Sequence, residues 1–318
     1  MTRVLVTGGT GFVGRRLVSA LTAGGYTVRL ATRATMVPPS ADVEIVPVGP
    51  IGARTDWREA LSGIEHVVHA AAMVHVMRPS ADDEKAFHEV NALGTETLAR
   101  AAASAGIRRF ILLSTVKVLG EESRNRPLRD DDPPRPHDAY AKSKYEGEER
   151  AANAAAGVGM ELVVLRPPLV YGPGVKGNFA TLLRLCDSGL PLPLGAIRNR
   201  RSLIYVDNLV QAIITALAHK NSLSGRFLIS DGEPVSTPEL IRALGSALER
   251  PVRLIPVPLN LLCLTAKAFG MRPVMERLIG SLEVDDGRFR TSTGWVPNAT
   301  LGDGLRATAA WWRSGRCH

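Results

Sequence analysis

The amino-acid sequence predicts an α/β protein with a doubly wound parallel sheet and a smaller, interleaved C-terminal domain. Apolar runs of strand length alternate with longer Ala-rich stretches of helical period through the first 166 residues, as in folds of this class. The runs at residues 110–113 and 162–165 are continuously apolar, which indicates strands that are buried on both faces. A glycine-rich turn joins the first predicted strand to the first predicted helix.

The predicted elements of the first domain follow in chain order. We expect strands at Arg3–Thr7, Thr27–Thr32, Val43–Val48, His66–Ala70, Arg109–Ser114 and Glu161–Arg166. We expect helices at Gly11–Ala23, Asp56–Leu61, Glu84–Ala105 and Ala139–Ala156. Crossover helices of this kind favour parallel pairing of the strands they connect. The loop at residues 121–137, which is rich in charge and Pro, is predicted to be a mobile flap over a cleft.

A second unit is predicted after Arg166, where Pro and Gly crowd residues 167–195 and the alternation is lost. A strand at Ser202–Val206, a helix at Asn208–Ala218 and a strand at Arg226–Ile229 are expected to return to the first domain. The expected cofactor-binding domain therefore comprises residues 1–170 with about 202–231, and the expected substrate domain comprises residues 171–201 and 232–318.

The composition argues against several classes of protein. The formal net charge of +8 suits anionic ligands such as pyrophosphates, but it also fits an ordinary Arg-rich protein. Aromatic residues make up only 5% and no zinc-finger or helix-turn-helix spacing is present, so nucleic acid is not an expected partner. The three cysteines, Cys186, Cys263 and Cys317, form neither a disulfide framework nor a metal-ligand spacing. We expect reduced thiols and no metal.

No segment is expected to enter or cross a membrane. Met1 is followed at once by a strand-like run, without the basic and apolar regions of a signal peptide. The most apolar late stretch, Leu254–Phe269, is broken by Pro256 and Pro258 and contains Lys267, so it falls short of a spanning helix. We therefore expect a cytoplasmic protein without a transmembrane segment.

Three glycines mark a predicted cofactor turn. Gly8, Gly11 and Gly14 follow the first strand in the spacing GxxGxxG and open the first helix. Glycine lets the backbone turn tightly and approach a pyrophosphate, while the helix start offers free N–H groups and the positive end of its dipole. A glycine triplet alone also fits an ordinary turn. The strand before it and the helix after it favour a dinucleotide site of the Rossmann type.

The end of the second strand indicates which dinucleotide is bound. Sites that prefer NAD place an Asp or Glu there, which accepts a hydrogen bond from the ribose 2′-hydroxyl. In this chain the strand ends in Thr32 and Arg33, which can both donate to a 2′-phosphate. We therefore expect NADP(H) to be preferred, with NAD(H) possible. The alternative interpretation is that Arg33 is a solvated loop residue.

Tyr140 and Lys144 are the candidate catalytic pair. Their spacing, YxxxK within a predicted helix, places them one turn apart on one face. A neighbouring ammonium and a positively charged nicotinamide favour the phenolate, so Tyr140 could act as acid and base near neutrality. The fifth strand ends in Ser114 and Thr115, whose hydroxyls could bond a substrate oxygen. We choose Thr115 by analogy, although such pairs also simply cap strand ends.

Longer motifs extend this pattern over nearly the whole chain. They are TGGTGFVG, EVNALGTETLARAA, FILLSTVKVLGE, YAKSK, LRPPLVYGPG, RRSLIYVDNLVQAI and TGWVPNATLGDGL. On these motifs the chain resembles the extended short-chain dehydrogenases/reductases of the NAD-dependent epimerase/dehydratase family, which includes UDP-galactose 4-epimerases and nucleotide-sugar ketoreductases.

The resemblance implies roles for individual residues. It implies Thr115, Tyr140 and Lys144 as the catalytic set. The expected cofactor-binding residues are Gly8, Thr10, Gly11, Phe12, Val13, Gly14, Arg33, Ala70, Ala71, Ala72, Asn91, Ser114, Tyr140, Lys144 and Pro167. Arg201 resembles the arginine that clamps the nucleotide diphosphate, and Asn178 resembles the asparagine beside it. Lys117 stands where family members often carry Ser or Thr, near the expected sugar, and is predicted to contact substrate.

The resemblance also bears on the reaction. Lys117 and the stretch RPPLVYGPGVKGNF resemble a bacterial subgroup from O-antigen pathways, some of whose members reduce UDP-4-keto-6-deoxy-N-acetylhexosamines. A net reductase consumes NADPH, which Arg33 favours, so we expect NADPH-dependent reduction of a UDP-4-keto-6-deoxy-hexose at C4. Alternatives are a UDP-hexose 4-epimerase with bound NAD, a non-catalytic cofactor-sensing regulator and a reductase of hydrophobic ketones. We also expect a homodimer that pairs through the helices at 84–105 and 139–156.

Overall fold

A computed structural model describes residues 2–74, 80–268 and 272–315, and Phe269 and Cys317 lie outside these ranges. The strands are β1 (Arg3–Thr7), β2 (Thr27–Thr32), β3 (Val43–Pro47), β4 (His66–His69), β5 (Arg109–Leu113), β6 (Glu161–Arg166), β7 (Leu169–Tyr171), β8 (Leu203–Tyr205) and β9 (Gly225–Leu228). Within the described residues the main sheet has the order β3-β2-β1-β4-β5-β6-β9. All its strands are parallel, so the predicted α/β class is confirmed.

Strand β1 lies at the point where the strand order reverses. Val6 pairs with Leu30 of β2 on one side and with Val68 of β4 on the other. Open sheets of this class bind ligands in the crevice that forms at such a point, beyond the carboxyl ends of the strands. The crevice is therefore bordered by the segments that follow β1 and β4.

Helices cover both faces of the sheet. The helices of the described residues are α1 (Phe12–Ala23), α2 (Arg58–Leu61), α3 (Ala81–Phe87), α4 (Gly94–Ser104), α5 (Ala139–Ala155), α6 (Gly177–Asp187), α7 (Val206–Ala218), α8 (Thr237–Ala247), α9 (Leu259–Ala268), α10 (Arg272–Ile279), α11 (Gly287–Thr293) and α12 (Leu301–Ser314). Val4 and Val6 pack on the face covered by α1 and α7. Leu5 packs on the opposite face with α4 and α5. Burying each such aliphatic side chain contributes roughly 1.5–3 kcal/mol.

The prediction of one regular helix at Glu84–Ala105 is wrong. The structure has α3, then a π-helical segment at His88–Leu93, then α4. The spacing of apolar side chains does not reveal the extra residue per turn of a π segment. Such segments occur frequently at functional sites, and this one contains Asn91.

The C-terminal part of the chain returns to the main sheet only in part. Helix α7 packs on α1 and β9 pairs with β6, as predicted. Strand β8 pairs with β7 in a separate two-stranded parallel sheet, while its Ile204 packs in the core cluster that contains Val4 and Val6 of β1. The proposed division into two domains remains a prediction.

The loop at residues 121–137 is tied to its surroundings by backbone hydrogen bonds. Ser123 N donates to Ser281 O over 2.8 Å, and Leu128 N donates to Glu283 O over the same distance. Arg135 N donates to Val118 O over 2.9 Å. The predicted mobile flap is therefore pinned at several points along its length. No helix in the described ranges combines the length and apolar composition that crossing a bilayer would need.

Candidate active site

The glycine-rich turn leaves no room for side chains. Gly8 has a φ of +72°, and a Cβ on it would lie 2.5 Å from the backbone N of Ala71. A Cβ on Gly14 would lie 2.1 Å from Gly8 O. Helix α1 begins beyond Gly11, with no side-chain cap and no acidic residue in its first turn. Its free N–H groups and dipole therefore suit a pyrophosphate, so the residues present fit a dinucleotide.

A relay of hydrogen bonds fixes the segment after β4 opposite this turn. Ala71 N donates to Thr7 Oγ1 over 3.2 Å, and Thr7 Oγ1 lies 2.7 Å from His69 Nδ1. His69 Nε2 lies 3.0 Å from Thr95 Oγ1, which donates to Asn91 O over 2.7 Å. Because Thr95 uses its proton on Asn91, it accepts from His69 Nε2–H, and the Thr7 hydroxyl donates to Nδ1. Burial lowers the pKa of His69 to about 3, so the ring stays neutral.

Asn91 fastens the same segment to the catalytic helix. Its Oδ1 accepts from Met73 N over 2.9 Å, and its Nδ2 donates to Met73 O and to Ser143 Oγ, each over 3.0 Å. Ser143 Oγ in turn donates to Tyr140 O over 2.8 Å. A Cβ on Gly147 would lie 2.3 Å from Asn91 O, which shows how closely α5 approaches the π segment. The amide therefore joins the crevice to α5.

The end of β2 carries the residues predicted to select the dinucleotide. Thr32 is buried, and its hydroxyl donates to Ala34 O over 2.8 Å. Arg33 is exposed. Of the predicted donor pair, only the Arg33 side chain therefore faces solvent.

Lys144 is anchored at the end of β5. Its ammonium donates to Leu113 O over 2.8 Å, and only 2% of the residue is exposed. Burial lowers the pKa of Lys144 to about 8, although the nearby carboxylate of Glu148 opposes the shift. The bond holds the Lys144 ammonium at Leu113, which lies two residues before Thr115, so both side chains are at the same edge of the sheet.

Tyr140 lies one turn before Lys144 on α5, with its ring edge-on to Phe87 at a centroid distance of 6.1 Å. Burial raises the pKa of Tyr140 above its ordinary value, and the carboxylate of Asp138 raises it further. From the sequence, the Lys144 charge was expected to favour the phenolate. In the structure, burial and Asp138 raise the pKa of the phenol instead, so it holds its proton near neutrality.

Ser114 and Thr115 have different partners. The Ser114 hydroxyl donates to Glu148 Oε1, and Glu148 pairs with Arg166 at 2.6 Å. At most 1% of the side chain of either Glu148 or Arg166 is exposed. Thr115 caps the short 3₁₀ turn at Val116–Val118, and its Oγ1 accepts from the following backbone. The Thr115 hydroxyl proton is therefore free to meet another oxygen, whereas the Ser114 proton is committed.

Lys117 extends from the same turn towards the start of α5. Its ammonium lies 2.6 Å from Asp138 Oδ2 and 2.9 Å from Glu121 Oε1. Burial disfavours the charge of Lys117, but the hydrogen bonds to these two carboxylates outweigh it, and the net result is a raised pKa. The predicted contact with substrate remains a prediction.

Arg201 and Asn178 lie on the C-terminal part of the chain. Arg201 is partly buried, and its Nη1 donates to Arg277 O over 2.8 Å and to Gly280 O over 2.9 Å. Burial lowers the pKa of Arg201, while the carboxylate of Glu121 opposes the shift. Asn178 is exposed in the first turn of α6. The Glu121 carboxylate therefore interacts with the charges of both Lys117 and Arg201. A phosphate site shared by Arg201 and Asn178 remains a prediction.

Four residues that hold the site together were missed from the sequence, namely His69, Thr95, Ser143 and Glu148. Each acts through a hydrogen bond to a residue distant in sequence, or as one polar position within a helix. No local sequence motif predicts such residues. Within the described residues, no group of His, Cys, Asp and Glu side chains is arranged to hold a metal ion.

Comparison with known proteins gives concordant results. The profile of the NAD dependent epimerase/dehydratase family matches residues 4–229. The chain is 42% identical over 314 residues to a UDP-glucose 4-epimerase of Vibrio cholerae, covering 96% of this chain and 94% of that one. It is similar to the UDP-glucose 4-epimerase of Thermus thermophilus in complex with NAD (TM-score 0.76, 26% identity, 98% and 99% covered). It is also similar to MoeE5 in complex with UDP-glucose and NAD (TM-score 0.78, 25% identity, 99% of both chains).

Proposed function

Because this chain belongs to the NAD-dependent epimerase/dehydratase family, and is an enzyme of the extended short-chain dehydrogenase/reductase type, we propose that it epimerises a UDP-hexose at C4. The observation that carries the proposal is the 2.8 Å hydrogen bond from Lys144 Nζ to Leu113 O. This bond fixes the helix of Tyr140 against the end of β5, next to Thr115. The named activity of the Vibrio cholerae relative supports the same reaction.

The order of the two leading hypotheses changes with the comparisons. The sequence motifs favoured an NADPH-dependent 4-ketoreductase, with the 4-epimerase as the alternative. The relative at 42% identity and the Thermus thermophilus structure both carry the name UDP-glucose 4-epimerase. We therefore place the epimerase first and keep the ketoreductase as the second candidate.

The cofactor would lie along the carboxyl edge of the sheet. Its pyrophosphate fits the turn at Gly8, Gly11 and Gly14, where Cβ atoms on Gly8 and Gly14 would collide with backbone. Lys144 and Tyr140 would border the nicotinamide ribose. When bound, the nicotinamide supplies the acceptor for the hydride on C4 of the sugar and later the donor that returns it.

The side chains of this protein manage the proton and the oxygen. Tyr140 Oη takes the proton from O4 of the sugar as C4 becomes a ketone, and it gives the proton back when the hydride returns. Thr115 Oγ1 donates to O4 and holds it near the phenol. Lys144 adds positive charge, which favours the phenolate when O4 needs a base. Return of the hydride to the opposite face of C4, with the proton restored to O4, inverts C4 with no net oxidation.

The nucleotide diphosphate is assigned to the C-terminal part of the chain. Arg201 combines a planar, permanently charged side chain with partial burial, a combination suited to a diphosphate. Asn178 at the start of α6 would lie beside the same phosphates. The homodimer expected from the sequence remains a prediction. Its proposed surface is continuous, since Arg150 of α5 pairs with Glu96 of α4.

The second candidate, an NADPH-dependent 4-ketoreductase, is favoured by the end of β2. Arg33 stands there instead of an acid and is exposed, and its guanidinium could donate to a 2′-phosphate. A reductase would use the same residues once per turnover, with Tyr140 delivering its proton to O4 and taking a new one from water.

One assay separates the two candidates. Purified protein is incubated with UDP-glucose and NAD, and nuclear magnetic resonance monitors the appearance of the C4 epimer. In parallel, NADPH oxidation is followed with UDP-4-keto-6-deoxy-N-acetylhexosamine. We expect the epimer to form without net change in the nicotinamide absorbance. Stoichiometric NADPH oxidation without any epimer would assign the reductase instead, and inactivity in both arms would contradict both candidates.

A further inference from the structure

Lys117 has a position that the proposed reaction does not yet use. It lies in the 3₁₀ turn directly after Thr115, and only 27% of its side chain is exposed. Its ammonium is held between two carboxylates, 2.6 Å from Asp138 Oδ2 and 2.9 Å from Glu121 Oε1. A lysine so held is tied to the start of the catalytic helix.

Asp138 links this ammonium to the catalytic phenol. Its Oδ1 accepts from Ala141 N over 2.6 Å, so the carboxylate is the N-cap of α5. Tyr140 follows two residues later, within the first turn. The Asp138 carboxylate raises the pKa of Tyr140, because a negative charge nearby disfavours a second one on the phenolate. The Asp138 carboxylate that caps α5 thus disfavours the phenolate form of Tyr140 on the same helix.

We propose that Lys117 is a positioning residue for the proposed reaction: as the counter-ion of Asp138, it keeps that carboxylate in place as the helix cap and offsets part of its charge beside Tyr140. This inference rests on the proposed function for its chemistry. The carboxylate can then stabilise α5 while less of its charge acts on the phenol. A Ser or Thr at this position would carry no charge and could not do so.

The charged groups around Tyr140 support this assignment. On α5 they are Asp138 and Lys144, of which Lys144 donates to Leu113 O. On the turn after β5 and the loop beyond it they are Lys117 and Glu121. From α3 the side chain that meets the phenol ring is the uncharged Phe87.

The next charged groups on that side form their own pair. His88 of the π segment lies 3.1 Å from Glu146 of α5. Lys117 is therefore a cation bonded directly to the carboxylate that acts on Tyr140. The contact with the sugar that the sequence predicts for Lys117 makes a different experimental prediction, so the two roles can be separated.

The test uses four variants of the full-length protein with NAD bound: Lys117→Met, Lys117→Arg, Asp138→Asn and the double variant Lys117→Met/Asp138→Asn. Asparagine caps helices about as well as aspartate, so Asp138→Asn removes the charge and keeps the cap. The readout is the pH dependence of kcat/KM with UDP-glucose, whose acidic limb reports protonation of the base.

We expect Lys117→Met to move the acidic limb up by about one pH unit, because a positive charge bonded to Asp138 is lost. Lys117→Arg keeps the charge and should leave the limb in place. Asp138→Asn should move the limb down, and the double variant should return it close to the wild-type position. A raised KM for UDP-glucose in Lys117→Met, with an unmoved limb and no rescue by Asp138→Asn, would instead make Lys117 a sugar ligand and overturn the proposal.

A second readout does not depend on turnover of any sugar. The ultraviolet absorbance of the phenolate is titrated in the NAD-bound protein, and the Tyr140→Phe variant is subtracted to isolate Tyr140. The same order of shifts is expected across the four variants. If the protein proves inactive on UDP-glucose but the titration shifts as stated, the charge relation holds and only the proposed function fails. An unchanged titration contradicts the inference whatever the substrate.

Discussion

The ends of β2 and β5 lie on the same edge of the sheet, yet the protein surrounds them in opposite ways. At β5, Lys144 donates to a strand carbonyl and Ser114 is bonded to the buried pair of Glu148 and Arg166. At β2, the Arg33 side chain is exposed. Buried, mutually bonded groups cannot change one at a time without leaving a polar partner unsatisfied. An exposed arginine can change alone.

This difference suggests a division of labour. The end of β5 holds the groups proposed to do the chemistry, and their positions are set by several contacts at once. The end of β2 holds a group proposed to choose between two cofactors that differ by one phosphate. We expect substitutions at β5 to remove activity or stability, and substitutions at β2 to change only a preference.

The largest effect is expected at Tyr140. The Tyr140→Phe variant keeps the ring that packs on Phe87 but loses the only atom proposed to move the O4 proton. We expect kcat to fall by up to about ten-thousand-fold, with the dissociation constant of NAD changed little. Steady-state kinetics and cofactor fluorescence titration measure the two quantities. Activity within tenfold of wild type would remove Tyr140 from the mechanism.

The local features of this region could be predicted from the sequence, whereas the distant ones could not. The glycine turn and the Tyr140–Lys144 pair are spacings within a single stretch of chain, so they can be read directly from the sequence. Glu148 looks like an ordinary polar residue of a helix, yet it lies fully buried against Arg166. The relay through His69 and Thr95 joins residues 26 positions apart. Only the fold brings these partners together.

The π segment at His88–Leu93 was missed for a related reason. Its side chains have the composition of an ordinary helix, and its extra residue per turn depends on packing against α5, where a Cβ on Gly147 would lie 2.3 Å from Asn91 O. The pairing of β8 with β7 rather than with the main sheet is also set by packing. Both features concern how elements meet: the π segment and β7 were not predicted, whereas the strand that contains β8 was.

A second substitution tests whether the end of β5 is held by its buried ion pair. Arg166→Met leaves the Glu148 carboxylate buried, bonded to Ser114, 3.4 Å from Arg226 and near the Lys144 ammonium. Removing one partner of a buried pair costs about 3–5 kcal/mol, so we expect a loss of about that size in the free energy of unfolding, measured in urea.

The matched control for that substitution is Arg58→Met. Arg58 pairs with Asp56 at 2.6 Å, but 90% of its side chain is exposed. Exposed pairs contribute little to stability, so unfolding of this variant should match the wild type. Equal losses in Arg166→Met and Arg58→Met would show that the buried pair does not hold the end of β5.

The smallest expected effect lies at the end of β2. Arg33→Glu replaces a donor by an acceptor where the ribose 2′ position is expected, so NADPH should bind more weakly and NADH more tightly. A charge-assisted hydrogen bond contributes about 1.5–3 kcal/mol, which corresponds to a change of at least about tenfold in the ratio of the two dissociation constants. Arg242→Glu, at an exposed position of α8, makes the same change in net charge and should leave the ratio unaltered. An unchanged ratio in Arg33→Glu would make Arg33 a solvated loop residue, and the choice of cofactor would then have to arise at the buried Thr32 or elsewhere along the crevice.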